Sequence, residues 1–392
     1  MSSSSVEYHK KELPSKVQTI GLFLLLVGLV IVVLGYIVNP MRSAQNNIIG
    51  FSFLVSIGVG SLFFVAIEYL SGAVWSTPFR RVGEFLSSLI VILPLLAIPL
   101  LLNINSVFHW THPEPADKIL IDKAPYLNVQ FFIFRVVFFW LIWFVFYYFI
   151  TKNSRKQDQT KEQFLTKANV KLSAIFMPLF ALTITFTAID WLMSLAPHWF
   201  STIFGVYYFS GTVLAALAAG TIFIVLLNER GYFVEGIHTD SYYSLGALLF
   251  AFTNFWAYIA FSQFLLIWYA NLPEETLWFL DRWNGNWKFF SIGLILVHFL
   301  IPYIGLLSQP SKSNPKRLVV MASILLFAHY YDLYWLVMPN FYKDGIVFGW
   351  IELGFPILIA GLIISVFAYK SKKVNLVPIG DPKLKRGIDF RL

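Results

Sequence analysis

Cysteine is absent from all 392 residues. That excludes disulfides, thiolate metal sites, cysteine-held iron–sulfur clusters, covalently attached c-type haem and thiol catalysis within this chain. Charge is scarce as well: Asp, Glu, Lys and Arg make up 13% of the sequence against 58% hydrophobic residues, with a mean hydropathy of +0.69. Such a balance is incompatible with a soluble domain of this length. Walker loops, dinucleotide-binding glycine patterns, H-E-x-x-H and G-x-S-x-G are all missing, so nucleotide-driven pumping and hydrolysis find no support. The net charge of +8 comes without any basic–aromatic nucleic-acid motif, and no nucleic acid is expected as a partner.

What the sequence does contain is a series of apolar runs of about 20 residues, each long enough to cross a hydrocarbon core as helix. Ten spans are expected near 17–38, 48–70, 82–103, 127–150, 170–196, 203–228, 240–268, 286–307, 316–338 and 346–369. The expected fold class is therefore an all-α polytopic membrane protein, with a tail at 1–16, a membrane domain at 17–369 and a second tail at 370–392. The first run follows Lys10, Lys11 and Lys16, exceeds a signal-peptide h-region and lacks a small-residue cleavage site, so it is read as a helix. Of the 29 Lys and Arg, 22 fall on the side of both termini and 6 on the other, with Arg135 inside a span. By the positive-inside bias both termini are expected in the cytoplasm. The basic segment 151–169 reads as a cytoplasmic loop facing anionic headgroups, and the opposite loops 104–126 and 269–285 read either as docking surfaces or as interfacial loops with Trp and Tyr at headgroup level.

An internal echo accompanies this pattern. Asp190 is followed seven residues later by Pro197, and Asp332 by Pro339, at the ends of spans five and nine. Both spans run in one direction, which suggests two four-helix bundles, spans 2–5 (about 48–196) and 6–9 (about 203–338), with spans one and ten flanking them. Ionisable groups at membrane depth are expensive and tend to mark pathways. Glu68 and Glu84 share a depth near the terminal side, either as a proton entrance or as groups that snorkel to the interface or pair with Arg80 and Arg81. Nearer the middle and far side lie Arg135, Asp190, His298, His329, Asp332 and Glu352. Thr183, Thr185, Thr187, Tyr207, Tyr208, Thr253, Asn254, Tyr258, Ser262 and Gln263 are available as hydrogen-bond links. His329 and Asp332 at i, i+3 share a helix face, so they are the first candidates for proton transfer. Asp190 reads equally as a proton carrier or as the counter-ion of Arg135. Phe299, Tyr303 and Tyr330 crowd His298 and His329 against a bis-histidine haem. His109 and His112 alone do not make a closed metal site. Pro94, Pro99, Pro178, Pro302 and Pro356 should each free a backbone carbonyl inside a span.

The run Asp190-Trp191-Leu192-Met193-Ser194-Leu195-Ala196-Pro197-His198-Trp199-Phe200-Ser201-Thr202-Ile203-Phe204-Gly205-Val206-Tyr207, and the later Asp332-Leu333-Tyr334-Trp335-Leu336-Val337-Met338-Pro339, resemble two signatures of the NrfD-like (polysulfide-reductase membrane subunit-like) family, as found in bacterial alternative complex III. The resemblance extends over the ten spans in order. It implies a membrane subunit of a quinol:cytochrome c oxidoreductase in the bacterial inner membrane, itself non-catalytic and built as two four-helix bundles with flanking helices. It implies no cofactor or metal on this chain. Haem c and iron–sulfur clusters are expected on partners: an iron–sulfur protein, multi-haem and mono-haem cytochromes c, a sister NrfD-like subunit and, further out, a terminal oxidase. Lipids surround the chain, and quinol is a further ligand to consider. The role implied is proton conduction through half-channels. Of the candidate residues, Asp190, His329 and Asp332 fall in the signature runs, whereas Glu68, Glu84, Arg135, His298 and Glu352 rest on depth alone. A stand-alone secondary transporter and a direct quinone-binding subunit are the alternatives.

Overall fold

The computed structural model describes residue 8 and residues 10–392, and they form an all-helical chain with no strand among them. Ten helices are long and apolar enough to cross a membrane: α1 Ser15–Val38, α2 Pro40–Ser71, α3 Thr77–Leu102, α4 Val129–Thr160, α5 Gln163–Leu195, α6 Phe204–Asn228, α7 Thr239–Ala270, α8 Trp287–Leu306, α9 Pro315–Asn340 and α10 Trp350–Lys373. Asparagine side chains start three of them, Asn39 accepting from Arg42 N, Asn128 from Phe131 N and Asn314 from Arg317 N. Each fills an orphan donor in the first helical turn.

Packing follows two rings. α2 meets α3 and α5, α4 meets α5, and the middle of α3 meets α4, while α6 meets α7 and α9, and α8 meets both α7 and α9. The rings join where α2 lies against α6, with α5 on α6 and α9 on α2. Exchanging α2 with α6 and α5 with α9 maps these contacts onto themselves, as parallel repeats require. Burial tracks position: 94% of the apolar window of α2 is buried against 17% for α1.

The outer pair α1 and α10 packs through small residues. A Cβ on Gly28 would lie 2.3 Å from Leu358 N, and one on Gly361 2.2 Å from Leu25 N. In lipid, where apolar burial gives no drive, this close backbone approach is what holds two helices together. Because the chain is cysteine-free, the contact can be tested cleanly. Gly21 and Ser365 face one another, a Cβ on Gly21 falling 2.7 Å from Ser365 Oγ, so a Gly21→Cys/Ser365→Cys pair is expected to cross-link. Adding Gly28→Leu should reduce the cross-linked fraction severalfold on a denaturing gel; undiminished cross-linking would show that α1 does not depend on that approach.

Three expectations need correction. The basic segment 151–169 is not a loop: α4 continues to Thr160 and α5 begins at Gln163, with only a tight link whose Lys161 takes a left-handed φ of 56°. Low hydropathy had marked the end of membrane burial, not the end of the helix. The C-terminal segment is also more than a tail, since Leu376, Val377, Asp381 and Leu384 are buried and a Cβ on Gly380 would strike Gln157 O at 1.9 Å. Residue 72 onwards shows a third departure: Arg80 and Arg81, counted among loop charges, are buried inside α3. Proline leaves a visible mark in α3 and α8. Pro94 cannot donate to Ile90 O, which instead accepts from Trp140 Nε1 at 2.9 Å. Pro302 has the same effect on His298 O, and the backbone relaxes there into a π turn over Leu296–Leu300.

Candidate functional site

The eight candidate residues separate into four clusters. At the end carrying both termini, Arg80 binds Glu68 Oε1 at 3.2 Å, Asp381 Oδ2 at 2.7 Å and Glu84 Oε1 at 3.5 Å. Arg81 binds Glu84 Oε2 at 3.2 Å and Asp158 Oδ2 at 2.6 Å, and Ser154 Oγ donates to Glu84 Oε1 at 2.6 Å. Glu68 thus pairs with Arg80, and Glu84 with both Arg80 and Arg81. Four carboxylates face two guanidiniums here, so full ionisation leaves negative charge uncompensated in a buried place. A cavity of ≈ 290 Å³ opens beside Glu68 and Arg80 between α2, α3, α6 and α7, and its wall includes Ser61, Gly220 and Thr221. The hydroxyls of Ser61 and Thr221 have no protein partner, and most of the cavity wall is apolar.

At the opposite end two clusters are structural. Arg135 grips Asp190 with Nε–Oδ2 at 2.7 Å and Nη2–Oδ1 at 3.1 Å, while Tyr126 OH donates to Oδ1 at 2.9 Å. The guanidinium also lies 3.9 Å over the Tyr126 ring. Asp190 is therefore the counter-ion of Arg135. Burial, then the Asp190 charge, pushes the Tyr126 phenol well above its ordinary value, so it stays a donor. Glu352 accepts from Arg42 Nε at 2.7 Å, Arg42 Nη2 at 2.5 Å, Asn46 Nδ2 at 3.1 Å and Gly349 N at 2.6 Å. Those four donors fill the carboxylate's lone pairs and tie the start of α10 to the start of α2. Depth alone did not show that this group caps its own helix. Glu352→Gln should lower thermal stability by about 1–3 kcal/mol, the penalty for unpairing Arg42 and one capping donor, and leave proton movement unchanged. Melting of the detergent-extracted protein, together with proton-release assays, checks this; a loss of proton release at full stability would return Glu352 to the route.

The fourth cluster lies where the two rings meet. Asp332 on α9 accepts from Tyr207 OH at 2.5 Å and from Trp256 Nε1 at 3.2 Å. His329, one turn earlier, puts Nε2 2.9 Å from Ser56 Oγ on α2. Ser56 continues to Thr212 Oγ1 at 3.2 Å and to Tyr208 OH at 3.3 Å. His298 stacks on Trp256 with centroids 3.7 Å apart at 16°. All three of His298, His329 and Asp332 are at most 1% exposed. Of the expected links only Tyr207 and Tyr208 join this site; Thr183 serves Trp143 Nε1 at 2.9 Å, and Tyr258 is 66% exposed on the outer face. Arg282, outside the spans, is buried near the same end, donating to Trp278 O at 2.9 Å and Leu336 O at 2.7 Å and lying 3.3 Å over the Trp278 ring. Sequence reading missed Ser56, Trp256 and Arg282, since nothing local in their segments points to a site.

Ser56 and Ser61 share α2, about 7.5 Å apart along the axis. The cavity beside Glu68 reaches Ser61, and neither Ser56 nor His329 lines it. Neither a protein-family model nor a curated protein matches this chain.

Proposed function

We propose that this protein conducts protons as a membrane subunit of a quinol:cytochrome c oxidoreductase of the alternative complex III type, with both termini in the cytoplasm of a bacterium. The observation that carries the proton role is the buried chain Ser56–His329 beside Asp332–Tyr207, with a cavity on the other side of the membrane domain lined by Glu68 and Ser61. A proton enters among the surplus carboxylates around Arg80 and Arg81, passes by water past Ser61 to Ser56 and His329, and reaches Asp332. Imidazole and carboxylate both hold and release protons, and hydroxyls relay them. The buried positive charge of Arg282 at the far end opposes back-flow of cations along the same line. Association with a quinol-oxidising complex is supported by the Asp190–Tyr207 and Asp332–Pro339 runs and their likeness to the NrfD-like signatures. In that setting haem and iron–sulfur partners carry the electrons, and their charge changes reset the proton affinity of Asp332.

Extraction in mild detergent through a tag on Leu392 tests the assignment. Co-purification of haem-bearing partners with quinol-dependent cytochrome c reduction is the expected result. A haem-free, monodisperse chain that moves a solute across liposomes by itself would establish the secondary-transporter alternative and refute the complex.

A further inference from the structure

His298 takes no part in the hydrogen-bonded route, yet it is fully buried. Both of its ring nitrogens lack a partner, as does Nδ1 of His329. A neutral imidazole carries one donor and one acceptor, and burying either unmatched is unfavourable, so one nitrogen of each imidazole, beside one carboxylate, is open to a common partner. One ligand atom each from His298, His329 and Asp332 lie within 4.8 Å of one another.

We infer that His298, His329 and Asp332 form a three-ligand binding site for a divalent transition metal, with Zn²⁺ the ion their donor set suits. Two imidazoles and one carboxylate around an open fourth position match catalytic-type zinc coordination, whereas Mg²⁺ and Ca²⁺ take six or more oxygens. The surroundings match as well. Metal-bound histidines pass their second N–H to a neighbour that fixes tautomer and ring plane, and His329 Nε2 has Ser56 Oγ at 2.9 Å, leaving Nδ1 as ligand. Tyr207 and Trp256 each occupy one lone pair on a different Asp332 oxygen, which orients the carboxylate and leaves further lone pairs free. Space is provided by Gly211, where a Cβ would come within 2.7 Å of His329 Nδ1. Tetrahedral zinc sets its ligands about 3.3 Å apart, so binding draws the three groups inward by an ångström or so from their present separation. The π turn that Pro302 imposes on α8 carries His298 and supplies the local give.

Metal content after equilibrium dialysis of the purified protein against Zn²⁺, with zinc K-edge X-ray absorption for imidazole ligation, tests the site. One zinc per chain is expected, held at least about 100-fold more weakly in His298→Phe and in His329→Phe, as loss of a ligand must exceed loss of an outer partner. Gly211→Ala keeps all three ligands but fills the space at Nδ1, and it too should weaken binding. His198→Ala, which removes an exposed histidine, should not. No stoichiometric zinc, or zinc retained unchanged in His298→Phe and Gly211→Ala, would overturn the site. Occupancy takes His329 Nδ1 out of the proton route, so Zn²⁺ should stop proton release. That consequence rests on the proton reading, and bound zinc without inhibition would count against that reading while the site itself stands.

Discussion

On the proposed proton route, Asp332→Asn in the assembled complex is expected to remove every proton moved beyond those that quinol oxidation itself liberates, while electrons still reach cytochrome c. An amide cannot take up and release a proton as the carboxyl does, so a route that passes through this position stops there. The substitution also has a structural cost. Tyr207 OH and Trp256 Nε1 donate to opposite oxygens of Asp332, whereas an Asn side chain offers one acceptor and turns its NH₂ toward the other donor. One buried donor is left unmatched, at about 1–3 kcal/mol. The variant should therefore accumulate at reduced stability, and Tyr207→Phe should separate the two effects by removing a donor and leaving the carboxylate. Proton release per electron in sealed liposomes, measured with stability, distinguishes them. Full proton release in a folded Asp332→Asn complex would take Asp332 off the route.

Arg135→Met is expected to be the most damaging substitution for folding. Asp190 is wholly buried and Arg135 nearly so, and the two share both carboxylate oxygens. Removing one member of such a pair strands the other charge at a cost of about 3–5 kcal/mol, a large part of the stability of most proteins. Replacing both by apolar groups has no such penalty, so Arg135→Met/Asp190→Leu should recover most of the lost material, less the single hydrogen bond from Tyr126. If Asp190 serves only as counter-ion, the double variant should also release protons normally. Fluorescence-monitored gel filtration across a temperature series measures the stability, and a double variant as unstable as the single one would show that the pair contributes something beyond charge neutralisation.

How far the sequence disclosed this arrangement depends on range. Apolar runs mark all ten helices because hydropathy is a property of the segment itself, and the Asp190/Asp332 echo pointed to the ring-and-ring packing because it repeats at like depth. His329 and Asp332 were legible from their i, i+3 spacing. Partners were not: Arg80 meets Asp381 across 301 positions, and His329 meets Ser56 across 273. Such pairings follow from ring packing, which no local pattern encodes. The partners of Glu352 were hidden for a related reason, since a carboxylate at membrane depth looks the same in sequence whether it relays protons or caps its own helix. The stacking of His298 on Trp256 depends on a π turn that Pro302 hints at only through the carbonyl it frees.

The most direct test of proton transfer at the centre is a quinol-induced infrared difference spectrum of the complex, recorded in H₂O and in D₂O. Protonation of a buried carboxylate gives a carboxylic C=O band that shifts on deuteration. That band should appear during turnover in the unmodified protein and vanish in Asp332→Asn. The same band persisting unchanged in Asp332→Asn, or no carboxylic change in the unmodified protein, would contradict the account.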